Sequence, residues 1–207
     1  FDISYLFGSK VPIPADSQRK APLNGDHSMY VICKNMAVDM IEHYYQSFGL
    51  KRFIIRLPRI YMYHPNAYTF TDGKKTMISD RLLINKAMNG ENIELWGDPY
   101  RILETCSVYD FLQIIDRAVI SNLDGGIYNA GSGGSTLVER LQGIIDVFSN
   151  GRSQIIYCPS KPNGTQFVLD IQKTVFELGY EPKYRWIDYL GKFKNEMRND
   201  PFKKLWG

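Results

Sequence analysis

Between residues 28 and 62 the sequence changes its period once, and that change constrains the fold more than any other feature. Residues 28–48, "SMYVICKNMAVDMIEHYYQSF", carry apolar side chains at helical spacing and stop at Gly49. Glycine suits the left-handed turn that closes a helix. "KRFIIRLPRIYM" follows at 51–62, with Phe53, Ile54 and Ile55 as an unbroken apolar run. Such a run fits a strand buried on both faces, as in a parallel sheet, and Pro58 is expected to end it. A helix leading directly into such a strand is one step of an α/β alternation.

The alternation continues along the chain. "FDISYLFGS" reads as a short strand ending at Gly8, and residues 9–28, with Pro12, Pro14, Pro22 and Gly25, read as a long surface loop. "YHPNAYTFTDGKK" reads as loop, "TMISDRLLINKAMNG" as a helix ending at Gly90, and "NIELWGDPYR" as a short strand and turn. "SVYDFLQIIDRAVISN" has helical period, and "GGIYNAGSGG" gives a strand and a glycine loop. "STLVERLQGIIDVFSN" is a helix in which Thr136 and Glu139 stand at capping-box spacing. "SQIIYCPSK" is another strand, and "DIQKTVFELG" and "WIDYLGKFKNEMRND" are the last two helices. Strands alternating with helices predict an α/β fold with a mostly parallel sheet. No internal repeat interrupts the pattern.

Composition excludes several classes of function. Charged residues make up 23% of the 207, and the net charge of +3 comes from scattered cations apart from "GKKT" and the C-terminal "FKNEMRNDPFKK". No basic stripe results, so nucleic acid is not an expected partner. No apolar run approaches the roughly 18–20 residues of a membrane span, so no membrane association is expected either. Cys33, Cys106 and Cys158 are an odd set without metal-type spacing, which fits a reduced, cytoplasmic protein. His27, His43 and His64 have no metal-type partners at useful spacing, and no metal is expected. Trp96, Trp186 and Trp206 are expected to pack, while Asp98, Asp110 and Asp116 read as turn or helix-surface acids. The sequon Asn163-Gly164-Thr165 is expected to be a turn, since Asn-Gly favours positive φ.

One pair of residues suggests chemistry. Tyr30 and Lys34 lie four apart near the start of the first helix. With 14 tyrosines in the chain, a Tyr-x-x-x-Lys match arises about once by chance. Two occur, and Tyr157/Lys161 in "YCPSK" is the other. Spacing of four puts side chains on one face only in a helix, and Pro159 forbids one there. A phenol with a reference pKa of about 10 is a poor base near neutrality, but an adjacent ammonium favours its ionised form. Such a tyrosine can take a proton from a substrate hydroxyl as hydride leaves the same carbon.

The order of segments then resembles the extended short-chain dehydrogenase/reductase family, the NAD-dependent nucleotide-sugar epimerases and dehydratases. "SYLFG" is similar to that family's Ser-rich strand end, and "YVICK" stands in the place of Tyr-Gly-x-Ser-Lys. "RLPRIYMYHPN" resembles Arg-Leu-Pro-Asn-Val-Tyr-Gly-Pro, and "LWGDPYRILETCSVYDF" resembles the Gly-Asp-Gly-x-x-x-Arg-Asp-Phe segment. "GIYNAGSGGSTLVE" and "LDIQKTVFELGYEP" look like its later strand–helix unit and its Asp-x-x-Lys-x-x-x-x-Leu-Gly-Trp-x-Pro tail.

The resemblance implies the C-terminal part of a Rossmann-like doubly wound parallel sheet plus a small α+β substrate-binding lobe. Residues 1–62 would close the dinucleotide-binding domain, and 63–207 would form the lobe, with Rossmann segments returning around 105–150. Tyr30 would be the catalytic base, with Lys34 tuning it and holding the cofactor ribose. Ser4 would be the catalytic serine, although the matching register falls on Ile3. Pro58 would lie against the cofactor, and Arg59, Arg101 and Lys161 would meet the substrate, Arg101 through its phosphate. The implied activity is NAD-dependent epimerisation of a nucleotide sugar, with 4-epimerisation of a UDP-sugar as the leading expectation. The choice between NAD and NADP stays open, and a homodimer is expected.

The departures matter too. Arg59 replaces a frequent Asn, Lys161 a frequent Arg, and Gly164 the Asp three residues after it. No Asp-Glu pair flanks "SYLFG", which argues against dehydration. No Gly-x-x-Gly-x-x-Gly loop occurs, and "NAGSGGST" has the wrong spacing for a dinucleotide. The resemblance therefore places roughly 100 further residues, with the cofactor loop, before Phe1. A non-catalytic relative that binds a ligand or partner, and a carbonyl reductase of the same family, are the alternatives.

Overall fold

The computed structural model describes residues 2–25, 27–71, 73–201 and 203–206, with only the backbone described at Thr71, Leu205 and Trp206. The expectation that Trp206 packs therefore lies outside the described side chains. A 3-10 turn at Ser4–Leu6 comes first, followed by α1 (Ser28–Phe48), β1 (Arg52–Arg56), β2 (Arg59–Tyr61), β3 (Tyr68–Thr71), β4 (Lys74–Met77) and α2 (Ser79–Met88). Next are β5 (Ile93–Trp96), β6 (Ile102–Leu103), β7 (Thr105–Ser107), α3 (Val108–Ile120), β8 (Gly125–Asn129) and β9 (Ser135–Thr136). The chain finishes with α4 (Leu137–Phe148), β10 (Ile155–Cys158), α5 (Gln172–Leu178), α6 (Trp186–Asn199) and α7 (Lys203–Trp206). The fold is α/β, as the alternation predicts. It forms two compact units.

The first unit comprises Phe1–Ile60, Glu104–Gly133 and Thr165–Lys183. Here β1 and β8 pair in parallel, from Arg52 opposite Gly125 to Arg56 opposite Asn129. Gly125 is dictated by this pairing, since its φ is +92° and a Cβ would meet the Arg52 carbonyl oxygen at 1.6 Å. Cys106, Ile114, Tyr128, Ala130, Leu178 and Tyr180 form the core, with Phe53 and Ile55 of β1 against it. The two buried tyrosines are satisfied, Tyr128 donating to Glu177 at 2.8 Å and Tyr180 to the Gly131 carbonyl at 2.7 Å. Burial pushes both phenols up and the Cys106 thiol up to about 12. Asp110 is structural: it is buried and accepts from the Lys183 amide at 2.9 Å.

Two expectations for this unit need correction. Residues 4–6 form a 3-10 turn rather than a strand, closed by Leu6 N–H to Ile3 and Phe7 N–H to Ser4. The local bonds satisfy the backbone, and Ile3 is buried with Ile13 and Leu169. β1 is half-buried at all five positions rather than enclosed on both faces. The 9–25 stretch is a mostly exposed loop, as expected, and it is pinned at Ile13, which bridges Leu169 and whose carbonyl, like that of Asp170, accepts from Asn129 Nδ2 at 2.9 Å.

The second unit comprises Tyr61–Leu103, Gly134–Gly164 and Tyr184–Gly207. β5 and β10 pair in parallel, and β6 and β9 antiparallel. α4 packs against α2 and α6 and buries Leu137, Arg140, Leu141, Gly143, Ile144, Ile145 and Phe148. Its capping box is complete: the Thr136 hydroxyl accepts from the Glu139 amide and the Glu139 carboxylate accepts from the Thr136 amide. The stretch read as loop around residue 70 is instead the β3–β4 hairpin. Its turn carries Gly73 at φ +72°, and Asp72-Gly73 is the dipeptide that favours such turns. Among the described residues no helix is long and apolar enough to cross a membrane.

Candidate functional site

α1 is the best-defined element that carries candidate chemistry. Gly49, at φ 66°, closes it by donating to the Tyr45 carbonyl. Its inward stripe is Val31, Asn35, Val38, Glu42 and Tyr45, at spacings of four and three. Among the β-branched apolar residues of α1, Val31 is buried and Val38 half-buried, while Ile32 and Ile41 are exposed because they fall off that stripe. Cations supply the rest of the attachment. Arg19 pairs with Asp39 and donates to the Asn35 carbonyl at 2.9 Å. Arg52 binds Glu42 at 3.1 Å and lies 3.7 Å above the Tyr45 ring centre.

Tyr30 and Lys34 share the outer side of the first turns. The Lys34 ammonium lies 5.6 Å from the Tyr30 ring centre, and Tyr30 is 57% exposed. Neither polar group has a hydrogen-bond partner among the described residues. A phenol and an ammonium one helical turn apart, both open to a ligand, suit vicinal hydroxyls such as those of a ribose. Tyr157 and Lys161 make no comparable pair, since β10 ends at Cys158 and Lys161 lies in the following turn, 5.2 Å above Trp96. Ser4 is exposed at the start of the 3-10 turn. Pro58 is buried between β1 and β2, and Arg59 opens β2 exposed. Tyr30 and Lys34 are the residues of this group joined by an observed contact.

In the second unit, two loops that are distant in sequence interlock. Asp98 forms a turn by accepting from the Tyr100 amide at 2.8 Å, and Arg101 is fixed through its carbonyl, which accepts from Leu137 at 3.0 Å. Asn163 packs on Gly97, where a Cβ would lie 2.8 Å from Asn163 Cα, and its Oδ1 accepts from the Asp98 amide at 3.3 Å. The Arg101 guanidinium rests on Gly164, and its Nε is buried without a hydrogen-bond partner. Neither Asn163 nor Gly164 takes a positive φ, and residues 162–166 form no turn, so the Asn-Gly expectation is corrected. This interlock was not foreseen, because the sequence holds no local sign that "WGDPYR" and "KPNG" meet. The glycine loop before α4 offers no vacant helix end, since the capping box already uses Thr136.

Comparison with known proteins adds a family frame. The profile described as "NAD dependent epimerase/dehydratase family" matches residues 4–131. A curated rice protein (Oryza sativa subsp. japonica), "Probable GDP-L-fucose synthase 1", is 24% identical over 176 residues, which are 83% of this chain and 52% of that protein. The chain thus spans about half the length of the curated relative it matches. Among solved structures, UDP-glucose 4-epimerase of Thermotoga maritima with UDP-glucose superposes with a TM-score of 0.71 at 20% identity, covering 93% of this chain and 59% of that one. A Tyr-to-Phe mutant of UDP-glucuronic acid 4-epimerase from Bacillus cereus, solved with a fluorinated substrate analogue and NAD, gives 0.68 at 17% identity, with coverage of 95% and 59%.

Proposed function

The chain belongs to the NAD-dependent epimerase/dehydratase family, and on that premise we propose that its reaction is 4-epimerisation of a UDP-sugar. One observation carries this reading: Tyr30 and Lys34 stand one turn apart on a well-formed helix, exposed and in contact. Tyr30 takes the proton of the sugar hydroxyl through its phenol oxygen and later returns it. The Lys34 ammonium lies 5.6 Å from the Tyr30 ring centre, with N–H groups open to hold a ribose. Bound NAD supplies the acceptor and donor of hydride. Of that cofactor, this chain offers Tyr30 and Lys34 as contacts, and the phenol–ammonium donor set fits its ribose, whereas Pro58, expected against the cofactor, is buried. Ser4 is the proposed second hydroxyl donor to the sugar.

Arg101 and Lys161 are the proposed ligands of the substrate diphosphate, with Arg59 toward the sugar. A guanidinium fork matches phosphate oxygens in a bidentate way. In this assignment the first unit, with its returning segments Glu104–Gly133 and Thr165–Lys183 in place of the expected 105–150, completes a dinucleotide-binding domain, and the second unit forms the substrate lobe. The molecule acts as a homodimer. Met29, Met36, Met40, Tyr44 and Phe48, all exposed along α1, supply an apolar face for it.

A second reading, action on a GDP-linked sugar, is supported by the name of the rice relative. Incubation of the intact natural protein with NAD and a panel of UDP-, dTDP- and GDP-sugars separates the two. The proposal expects isomerised UDP-sugar without net NADH. Turnover of GDP-sugars alone supports the second reading, and no turnover of any sugar contradicts both.

A further inference from the structure

Gly164 is the one residue of "KPNG" whose lack of a side chain nothing in its own backbone explains. It is exposed, and its φ lies outside the left-handed region where glycine is required. Its constraint comes from another residue. A Cβ built on Gly164 would lie 1.8 Å from Nη1, 2.8 Å from Cζ and 3.2 Å from Nη2 of Arg101, with no other heavy atom among its three nearest. The guanidinium therefore occupies the space of the missing side chain. The rest of the junction is already fixed, because Asn163 is held against Gly97 and Asp98 while the Arg101 backbone is tied to Asp98 and Leu137.

We infer that Gly164 is a positioning residue for substrate binding: it sets where the Arg101 guanidinium sits and leaves its outer edge free for a phosphate. The inference rests on the reading of Arg101 as a diphosphate ligand. A methyl group at 164 meets only the end of a flexible side chain, so the fold can accept it while the guanidinium must move away.

The test is a double-mutant cycle in the intact natural protein, read as affinity for whichever of UDP, dTDP and GDP binds tightest. Arg101→Ala and Gly164→Ala are each expected to weaken binding by about tenfold or more, the loss associated with a charge-assisted phosphate contact. Gly164→Ala should keep the parent melting temperature, and the double variant should bind no worse than Arg101→Ala alone. Wild-type affinity in Arg101→Ala would overturn the phosphate reading and this inference with it. A weakened Arg101→Ala beside an unaffected Gly164→Ala would leave that reading standing and overturn this one. A further loss on adding Gly164→Ala to Arg101→Ala would also overturn it, since the glycine would then act independently of the arginine.

Discussion

α1 and α4 are both amphipathic in sequence, yet they are held in opposite ways. α4 buries seven of its twelve residues and begins with a reciprocal capping box. α1 is 21 residues long, buries only Ser28 and Val31, and starts without a side-chain cap. Packing fixes α4, whereas α1 is a locally encoded helix attached by Val31, by Arg19 to Asp39 and by Arg52 to Glu42. The difference fits the use proposed for α1. A core helix spends its apolar face on its neighbours, while a helix proposed to present a base must leave that residue accessible.

The largest expected contrast is chemical. Cys33 is exposed on α1, and Cys106 is buried in the core of the first unit with its thiol pushed up to about 12. Thiol labelling at pH 8 should modify Cys33 readily and Cys106 on the order of a thousandfold more slowly until the protein unfolds. The sign for stability follows: the folded thiol pKa is raised above its ordinary 9.0, so its contribution is intact below that pH and is lost as pH climbs toward about 12. Equal labelling rates in the native protein would remove the contrast.

Next comes packing. Ile144→Ala on α4 should lower stability by about 2–5 kcal/mol in denaturant unfolding, while Met40→Ala on α1 should stay within about 0.5 kcal/mol when the protein is monomeric. Ile144 is 1% exposed and Met40 55%. A smaller step is the cap. Thr136→Ala should cost about 1 kcal/mol near neutral pH. Thr136 donates from its amide and hydroxyl to Glu139 and holds that carboxyl below its usual range. The stabilisation is therefore present above the ordinary carboxylate pKa of about 4 and disappears as pH falls through the lowered value. In Thr136→Ala that acid-dependent loss should flatten.

Local signals were readable wherever one residue type closes an element. Gly49 ends α1, and Thr136 with Glu139 starts α4, as their sequence positions predict. Asp72-Gly73 was an equally local hairpin signal, passed over because the flanking "YTF" and "KKT" lack clean alternation. β6 and β9, two residues each, exist through their mutual pairing and leave no trace in local pattern. Ile3 read as strand because it is apolar, but its burial against Ile13 and Leu169 is a tertiary fact. For the candidate site, Tyr30 and Lys34 were visible because four-residue spacing on a helix is itself a geometry. The Arg101–Gly164 contact was not, because no sequence period links two loops separated by α4 and β10.

The central claim is that α1 presents Tyr30 as the base. Replacing Tyr30 by Phe in the intact natural protein, with turnover of the accepted nucleotide sugar and the melting temperature both measured, tests it most directly. The account predicts a fall in kcat of about 10²–10⁴ with unchanged melting temperature, since an exposed hydroxyl without a partner among the described residues contributes little to folding. Turnover equal to the parent protein would contradict it.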